Sequence, residues 1–147
     1  MKKKLRIFAV ALLIAVLDQL TKFLIRKNIE LGESIPIIKN FLNITYITNT
    51  GSAFGAFKGF NLLFMAFSVI VVGIILYNIK SVKENEKAMQ AAFGLILAGA
   101  IGNFIDRLLY GAVTDFIDIP FFSVFNVADS AITISVAILI IILWNRK

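Results

Sequence analysis

Apolar residues in this chain gather into long runs with few breaks, not the short alternating stretches of a half-buried sheet. Leu5 to Ile25 gives 21 residues, broken by Arg6, Asp18-Gln19 and Thr21-Lys22. Phe60 to Tyr77 and Ala88 to Ile105 give 18 residues each without a charge, and Phe125 to Trp144 gives 20 with Asp129 its only charge. At about 1.5 Å per residue, each run can cross, or nearly cross, a hydrocarbon core of roughly 30 Å. The pattern predicts an all-α membrane protein, a four-transmembrane-helix bundle. Between the first two runs the period changes. Leu42, Ile44 and Tyr46 alternate with Asn43, Thr45 and Ile47, and Asn49 to Gly55 is a glycine-punctuated turn. That predicts a small β element over about 36–57. The connection between the third and fourth runs reads as a loop with aromatics around Asp115 and Asp118. No repeat or low-complexity tract marks a second unit, so residues 1–147 read as a single membrane domain.

Lysine and arginine give the direction. Met1–Arg6, Lys80–Lys87 and Asn145–Lys147 hold nine of them in 17 residues, whereas Arg26–Phe60 and Asp106–Phe125 hold five in 55. The positive-inside rule then puts both termini and the short 80–87 loop in the cytoplasm, and the two longer connections outside. A cleavable signal peptide is the alternative for the first run, with Lys2-Lys3-Lys4 as its basic region. No small-x-small site follows, and Asp18 and Lys22 stand where one belongs, so a retained helix is expected.

Composition narrows the chemistry. Of 147 residues, 59% are apolar and 16% charged, and the mean hydropathy is +0.89, which argues against a water-soluble domain. There is no cysteine and no histidine, which removes disulfides, thiolate nucleophiles, imidazole bases and the usual zinc ligands. Hydrolysis would have to run on carboxylates, hydroxyls or lysine. The net charge of +6 follows from the cytoplasmic ends and gives no reason to expect nucleic acid.

Ionisable groups inside a span are candidate functional groups. Asp18 falls about two-thirds of the way along the first helix, with Lys22 one turn further out on the same face. Asn103 and Arg107 share a face near the outer end of the third helix. Asn126 and Asp129 lie in the first turn of the fourth, and Asp115, Asp118 and Asn49 are on outer connections. All these polar groups collect at one level, the outer interfacial third. Each also has a plain structural reading. Asp18 and Lys22 can be an intrahelical ion pair, Arg107 a snorkelling anchor, and Asn126 or Asp129 an N-cap. Asp106 reads as a solvated helix-end charge and Asp118 as exposed to water. Gly94, Ala98 and Gly102 form a small-xxx-small stripe for close packing.

Two carboxylates in a low-dielectric site share a proton. One can activate a water while the other donates to the carbonyl oxygen of an amide, with no histidine, cysteine, metal or cofactor. Asp129 with an acid of the preceding connection could form such a pair, and the residues alone do not separate Asp115 from Asp118. Two other classes compete. A proton-coupled transporter could use Asp18, Asp129 and Arg107, although no inverted repeat is present. A Ser/Lys peptidase could use Ser130 or Ser52 with Lys22.

Five segments occur in an order that resembles the bacterial signal peptidase II family: Asp18-Gln-Leu-Thr-Lys22, Asn49-Thr-Gly-Ser-Ala-Phe-Gly55, Gly102-Asn-Phe-Ile-Asp-Arg107, Val113-Thr-Asp-Phe-Ile-Asp118 and Phe125-Asn-Val-Ala-Asp-Ser130. Ala98-Gly99, where the family often has a glycine pair, and Ser52, where alanine is common, are small-for-small departures. The resemblance implies an integral-membrane aspartic endopeptidase of the inner membrane with Asp115 and Asp129 as its catalytic pair. It implies that Asn49, Asn103, Arg107 and Asn126 position substrate, with Asp18 and Lys22 in support. The implied partner is a prolipoprotein bearing a diacylglyceryl-cysteine, cut on the amino side of that cysteine among membrane lipids; a monomer suffices. The aromatic turn Phe116–Phe122 and the β segment would then clamp the substrate, with Gly51 and Gly55 as pivots and an Ala53–Phe121 crosslink as the check.

Overall fold

A computed structural model of the chain describes residues 2–51 and 59–145. The residues between them include Ser52, Ala53 and Gly55, so the Ser52 nucleophile, the Gly55 pivot and the Ala53 crosslink lie outside the described residues. Four helices carry the fold: α1 (Lys2–Asn28), α2 (Asn61–Asn78), α3 (Lys87–Tyr110) and α4 (Val127–Trp144). All four are long and apolar enough to cross a membrane. A helix is the form such a run must take in lipid, because it satisfies its backbone polar groups internally.

Helix α3 is the centre of the bundle. Half of its apolar window is buried, against 11–22% in the other three, and α1, α2 and α4 each pack on it. The small-residue stripe explains how. A methyl group at Gly94 would lie 2.7 Å from Val10 Cβ, and one at Gly102 would lie 2.5 Å from Asp18 Oδ2, so glycine allows α1 to close on α3. At the end away from the sheet, Ile7, Ala11, Ile75, Ile79, Phe93 and Leu97 join α1, α2 and α3 in one apolar cluster. There Lys3 donates to the Lys80 and Val82 carbonyls and Arg6 to that of Glu84, tying the α2–α3 loop to the start of α1.

The other end carries a three-stranded antiparallel sheet in the order β1 (Ser34–Ile38), β2 (Leu42–Asn49), β3 (Val113–Asp118). The β1–β2 hairpin turns at Asn40, whose φ of 59° is a conformation asparagine tolerates. Strand β3 lies in the connection expected as a loop. Its Val-Thr-Asp-Phe-Ile-Asp sequence pairs with β2, Asp115 opposite Ile47 and Asp118 opposite Asn43. Gly111, at φ 73°, ends α3 and reverses the chain into β3, its N–H bonded to the Arg107 carbonyl. Two bonds then fasten β3 to the helices: the Thr114 N–H to Asp106 Oδ2 at 2.8 Å, and Arg26 Nη1 to Thr114 Oγ1 at 2.9 Å.

Candidate active site

The polar groups expected at one level do meet there, and they form one connected network. It starts on the inner face of α1. Asp18 and Lys22, four residues apart, are both fully buried and pair at 2.8 Å. Asp18 also accepts the Ala128 N–H at 2.8 Å, so its carboxylate serves one of the free donors at the start of α4. Lys22 Nζ reaches two groups on α3, Asn103 Oδ1 at 2.9 Å and Asp106 Oδ2 at 3.5 Å.

Asn126 is the N-cap of α4, its side-chain oxygen accepting the Asp129 N–H at 2.9 Å. That bond fixes which way its amide points. The amide nitrogen donates to Asp115 Oδ1 at 2.6 Å and to Asn103 Oδ1 at 3.2 Å. Asn103 in turn donates to Asp129 Oδ1 at 2.7 Å. An asparagine bridge thus links a carboxylate on β3 with one on α4. Asn49, the last residue of β2, donates to the second oxygen of Asp115 at 3.0 Å, and its own oxygen accepts the Gly51 N–H. Arg107 donates to the Gly51 carbonyl at 3.2 Å and lies over the Phe64 ring. Its Nε is buried without a hydrogen-bond partner among the described residues.

Burial and the nearby Asp129 carboxylate push the Asp115 carboxyl up to about 7, against the opposing pull of the Asn49 and Asn126 donors and the Lys22 charge. Asp115 and Asp129 both line a cavity of about 590 Å³ between α2, α3 and α4, floored by Gly99 and Ala100 and walled by Phe64, Phe67 and Ile132. Its polar groups gather at the sheet end; the rest is apolar. Among the described residues no cluster of acids suited to a metal ion is present.

Two expectations need correction. Asp106, read as a solvated helix-end charge, is fully buried and contacts both Lys22 and Arg26. It stands four residues after Gly102, which puts it on the packing stripe itself, and that spacing was the available signal. Asp118, read as exposed to water, is half-buried and accepts from Thr45 at 2.7 Å and Asn43 at 3.4 Å. It stands on the sheet, apart from Asp129. In the aromatic turn, Phe121 and Phe122 are exposed while Phe116 is buried. Sequence reasoning missed Gln19, Arg26 and Thr114. Gln19 donates to Asp18, to the Gly102 carbonyl and to Asp106. Arg26 continues the Asp18–Lys22 spacing by one more turn, which is the pattern that could have found it. Lys22 and Ser130 make no bond to each other; the Ser130 hydroxyl donates to the Asn126 carbonyl.

Residues 10–145 match the family described as "Signal peptidase (SPase) II". The chain is 47% identical over 135 residues to a lipoprotein signal peptidase of Shouchella clausii, covering 91% of this chain and 89% of that one. A lipoprotein signal peptidase of Halothermothrix orenii is 39% identical over 142 residues, covering 96% and 97%. Two solved bacterial membrane enzyme structures share the fold. One has a TM-score of 0.90 at 40% identity over 95% of this chain and 87% of its own; the other has 0.83 at 38% over 93% and 91%.

Proposed function

The chain belongs to the signal peptidase II family of membrane proteases, and we propose that it removes signal peptides from bacterial prolipoproteins with Asp115 and Asp129 as a catalytic pair. The observation that carries this reading is the asparagine bridge, which holds two carboxylates from separate elements on the wall of one apolar cavity.

A pair in this setting keeps one proton between its two acids near neutral pH. The ionised carboxylate takes a proton from a water lying between the acids. The resulting oxygen attacks the scissile carbonyl carbon, and the protonated carboxyl donates to the carbonyl oxygen. Collapse of the tetrahedral intermediate breaks the C–N bond: the leaving nitrogen takes the proton gained from water, and a hydroxyl of the intermediate returns its proton to the other carboxylate, so the pair again holds one proton. Asn49, Asn103 and Asn126 hold the carboxylates in place, and the Nε of Arg107, without a hydrogen-bond partner among the described residues, is suited to a substrate carbonyl. The scissile bond lies on the amino side of a diacylglyceryl-cysteine, a group that belongs at the membrane–water boundary. We take the sheet end as that boundary on the outer side, with both termini in the cytoplasm. The apolar part of the cavity suits the signal peptide. One copy, reading residues 1–147 as a single peptidase unit, carries every group the reaction uses.

A cleavage assay on a diacylglyceryl-modified prolipoprotein in lipid, with Asp115→Asn, Asp129→Asn and Ser130→Ala, tests this. Each Asp→Asn enzyme should lose roughly 10³-fold or more in turnover, and Ser130→Ala should stay within a few-fold. Near-normal turnover by either Asp→Asn enzyme would overturn the proposal.

A further inference from the structure

The aspartate-pair reading assigns chemistry to two residues and leaves Lys22 as a supporting ion pair. The geometry around its ammonium goes further. An asparagine amide can face either way, and what decides for Asn103 is which groups converge on each end. Two donors, Lys22 Nζ at 2.9 Å and Asn126 Nδ2 at 3.2 Å, converge on one atom, which must therefore be the oxygen. The nitrogen is left facing Asp129 Oδ1 at 2.7 Å. Asn126 is held independently, because its oxygen accepts a backbone N–H of α4. Asn103 has no such backbone bond and depends on Lys22 for the shorter of its two orienting contacts.

Charge points the same way. Among the described residues, the charged groups around Lys22 and the aspartate pair are Asp18 and Arg26 from α1, Asp106 and Arg107 from α3, Asp115 from β3 and Asp129 from α4; α2 and β2 contribute no charged side chain. That makes three cations and four carboxylates. The cluster is neutral when one carboxylate carries a proton, and in a low-dielectric setting neutrality is the favoured condition. Removing the Lys22 charge calls for a second proton.

Resting on the aspartate-pair reading, we propose that Lys22 is a positioning residue, aiming the Asn103 amide at Asp129 and supplying the charge that leaves the pair with one proton. Gln at this position keeps a donor for Asn103 and removes the charge. Met removes both. In Lys22→Gln/Asp106→Asn, one cation and one carboxylate leave together, so neutrality with a single proton returns.

The test is the pH profile of prolipoprotein cleavage per folded enzyme in lipid, with thermal unfolding of each variant. Lys22→Met should lose roughly 10–100-fold in kcat, the range for groups that orient reacting residues through an intermediary, with KM within about threefold. Lys22→Gln should recover part of that kcat. In both, the acid limb of kcat/KM should move up by about one pH unit, and in the double variant it should return to the wild-type position. The proposal is overturned if Lys22→Gln or Lys22→Met has the wild-type pH profile and kcat per folded molecule. It is also overturned if the double variant keeps the shifted limb, or if neither Lys22→Gln nor the double variant can be recovered folded. Failure of the underlying reading looks different: the wild-type chain would leave the prolipoprotein uncut, or Asp115→Asn would cut it.

Discussion

Gly99, where α3 packs against the backbone of α4, is one turn from the bridge that links the two carboxylates, so a single methyl group there should disturb both packing and catalysis. A Cβ added at Gly99 would lie 2.5 Å from Ile132 Cγ1 and 2.6 Å from the Ala128 carbonyl oxygen. The Ile132 contact can be relieved by rotating a side chain, but the carbonyl belongs to the first turn of α4. Carbon–oxygen contacts need about 3.3 Å, so α4 has to back away from α3 by roughly 0.7 Å at this point. Asp129 is the next residue. Its 2.7 Å bond from Asn103 would stretch to about 3.4 Å, beyond a good hydrogen bond. Asp115 would not follow, because β3 is fastened to α1 and α3 through Thr114.

Gly99→Ala should therefore cost roughly 1–3 kcal/mol in stability through overpacking. Turnover should fall roughly 10–100-fold, as expected for a sub-ångström to 1 Å misplacement of a reacting group. Gly73→Ala is the control, since nothing stands within 4 Å of its added methyl; it should be neutral in both measurements. Prolipoprotein cleavage in lipid, normalised to folded enzyme, together with thermal unfolding, reads the two effects. Adding Ile132→Ala removes the side-chain clash and leaves the carbonyl clash, so the double variant should stay impaired. Full recovery in that double variant, or wild-type behaviour of Gly99→Ala alone, would refute the backbone argument.

Three further outcomes follow from the same geometry. With Asp115 pushed up to about 7, kcat/KM should decline as pH rises through that region, because the pair loses the proton it donates; a flat profile from pH 5 to 9 would count against it. The same shift has a sign for stability. Between its ordinary 3.8 and about 7, Asp115 ionises in the unfolded chain but not in the folded one, so stability falls as pH rises through that window. Asp115→Asn should remove that slope and unfold at a higher temperature than wild type at pH 8 but not at pH 4. Finally, Asn126→Ser keeps an N-cap oxygen for α4 and cannot reach Asp115 and Asn103. It should unfold near the wild-type temperature while losing roughly 10²-fold in turnover, whereas Asn126→Ala should also lose about 1 kcal/mol of stability; equal stability losses in the two would separate the cap from the bridge wrongly.

What the sequence revealed, and what it did not, divides along the range of the interactions. The four spans are legible because lipid imposes length and apolarity on every residue of a crossing helix. Asp18 with Lys22 and the capping role of Asn126 are legible because both are set within one turn. Asp106 was misjudged because its partners Lys22 and Arg26 come from another helix, and only its place four residues after Gly102 pointed to that face. The choice between Asp115 and Asp118 depended on an element not recognised as a strand. Three residues apart on β3, they must point to opposite faces, so only one can meet the start of α4. Which one is settled by the pairing with β2 and by the fastening of Thr114, neither of which is a local property.

That strand also explains why a small sheet belongs on a bundle that could have closed without it. Two carboxylates on adjacent turns of one helix would be rigid but would leave no gap for a peptide bond and a water. Placing one on α4 and the other on β3 separates them by an adjustable distance, and the fold then has to make that distance definite. It does so from both sides of Asp115. The preceding residue is bonded to Asp106 and Arg26, and Asp115 itself is bonded to Asn49 and Asn126. On the α4 side, the backbone before Asp129 is held by Asp18 and its carboxylate by Asn103. Most of these ties return to the charges of α1 and α3, while α2 adds the Phe64 ring beside Arg107 and a bond from Asn61 to the Arg107 carbonyl. The pair is thus anchored mainly through α1 and α3, so under the proposed function a substrate need not break those ties at the cavity wall that α2 and α4 form.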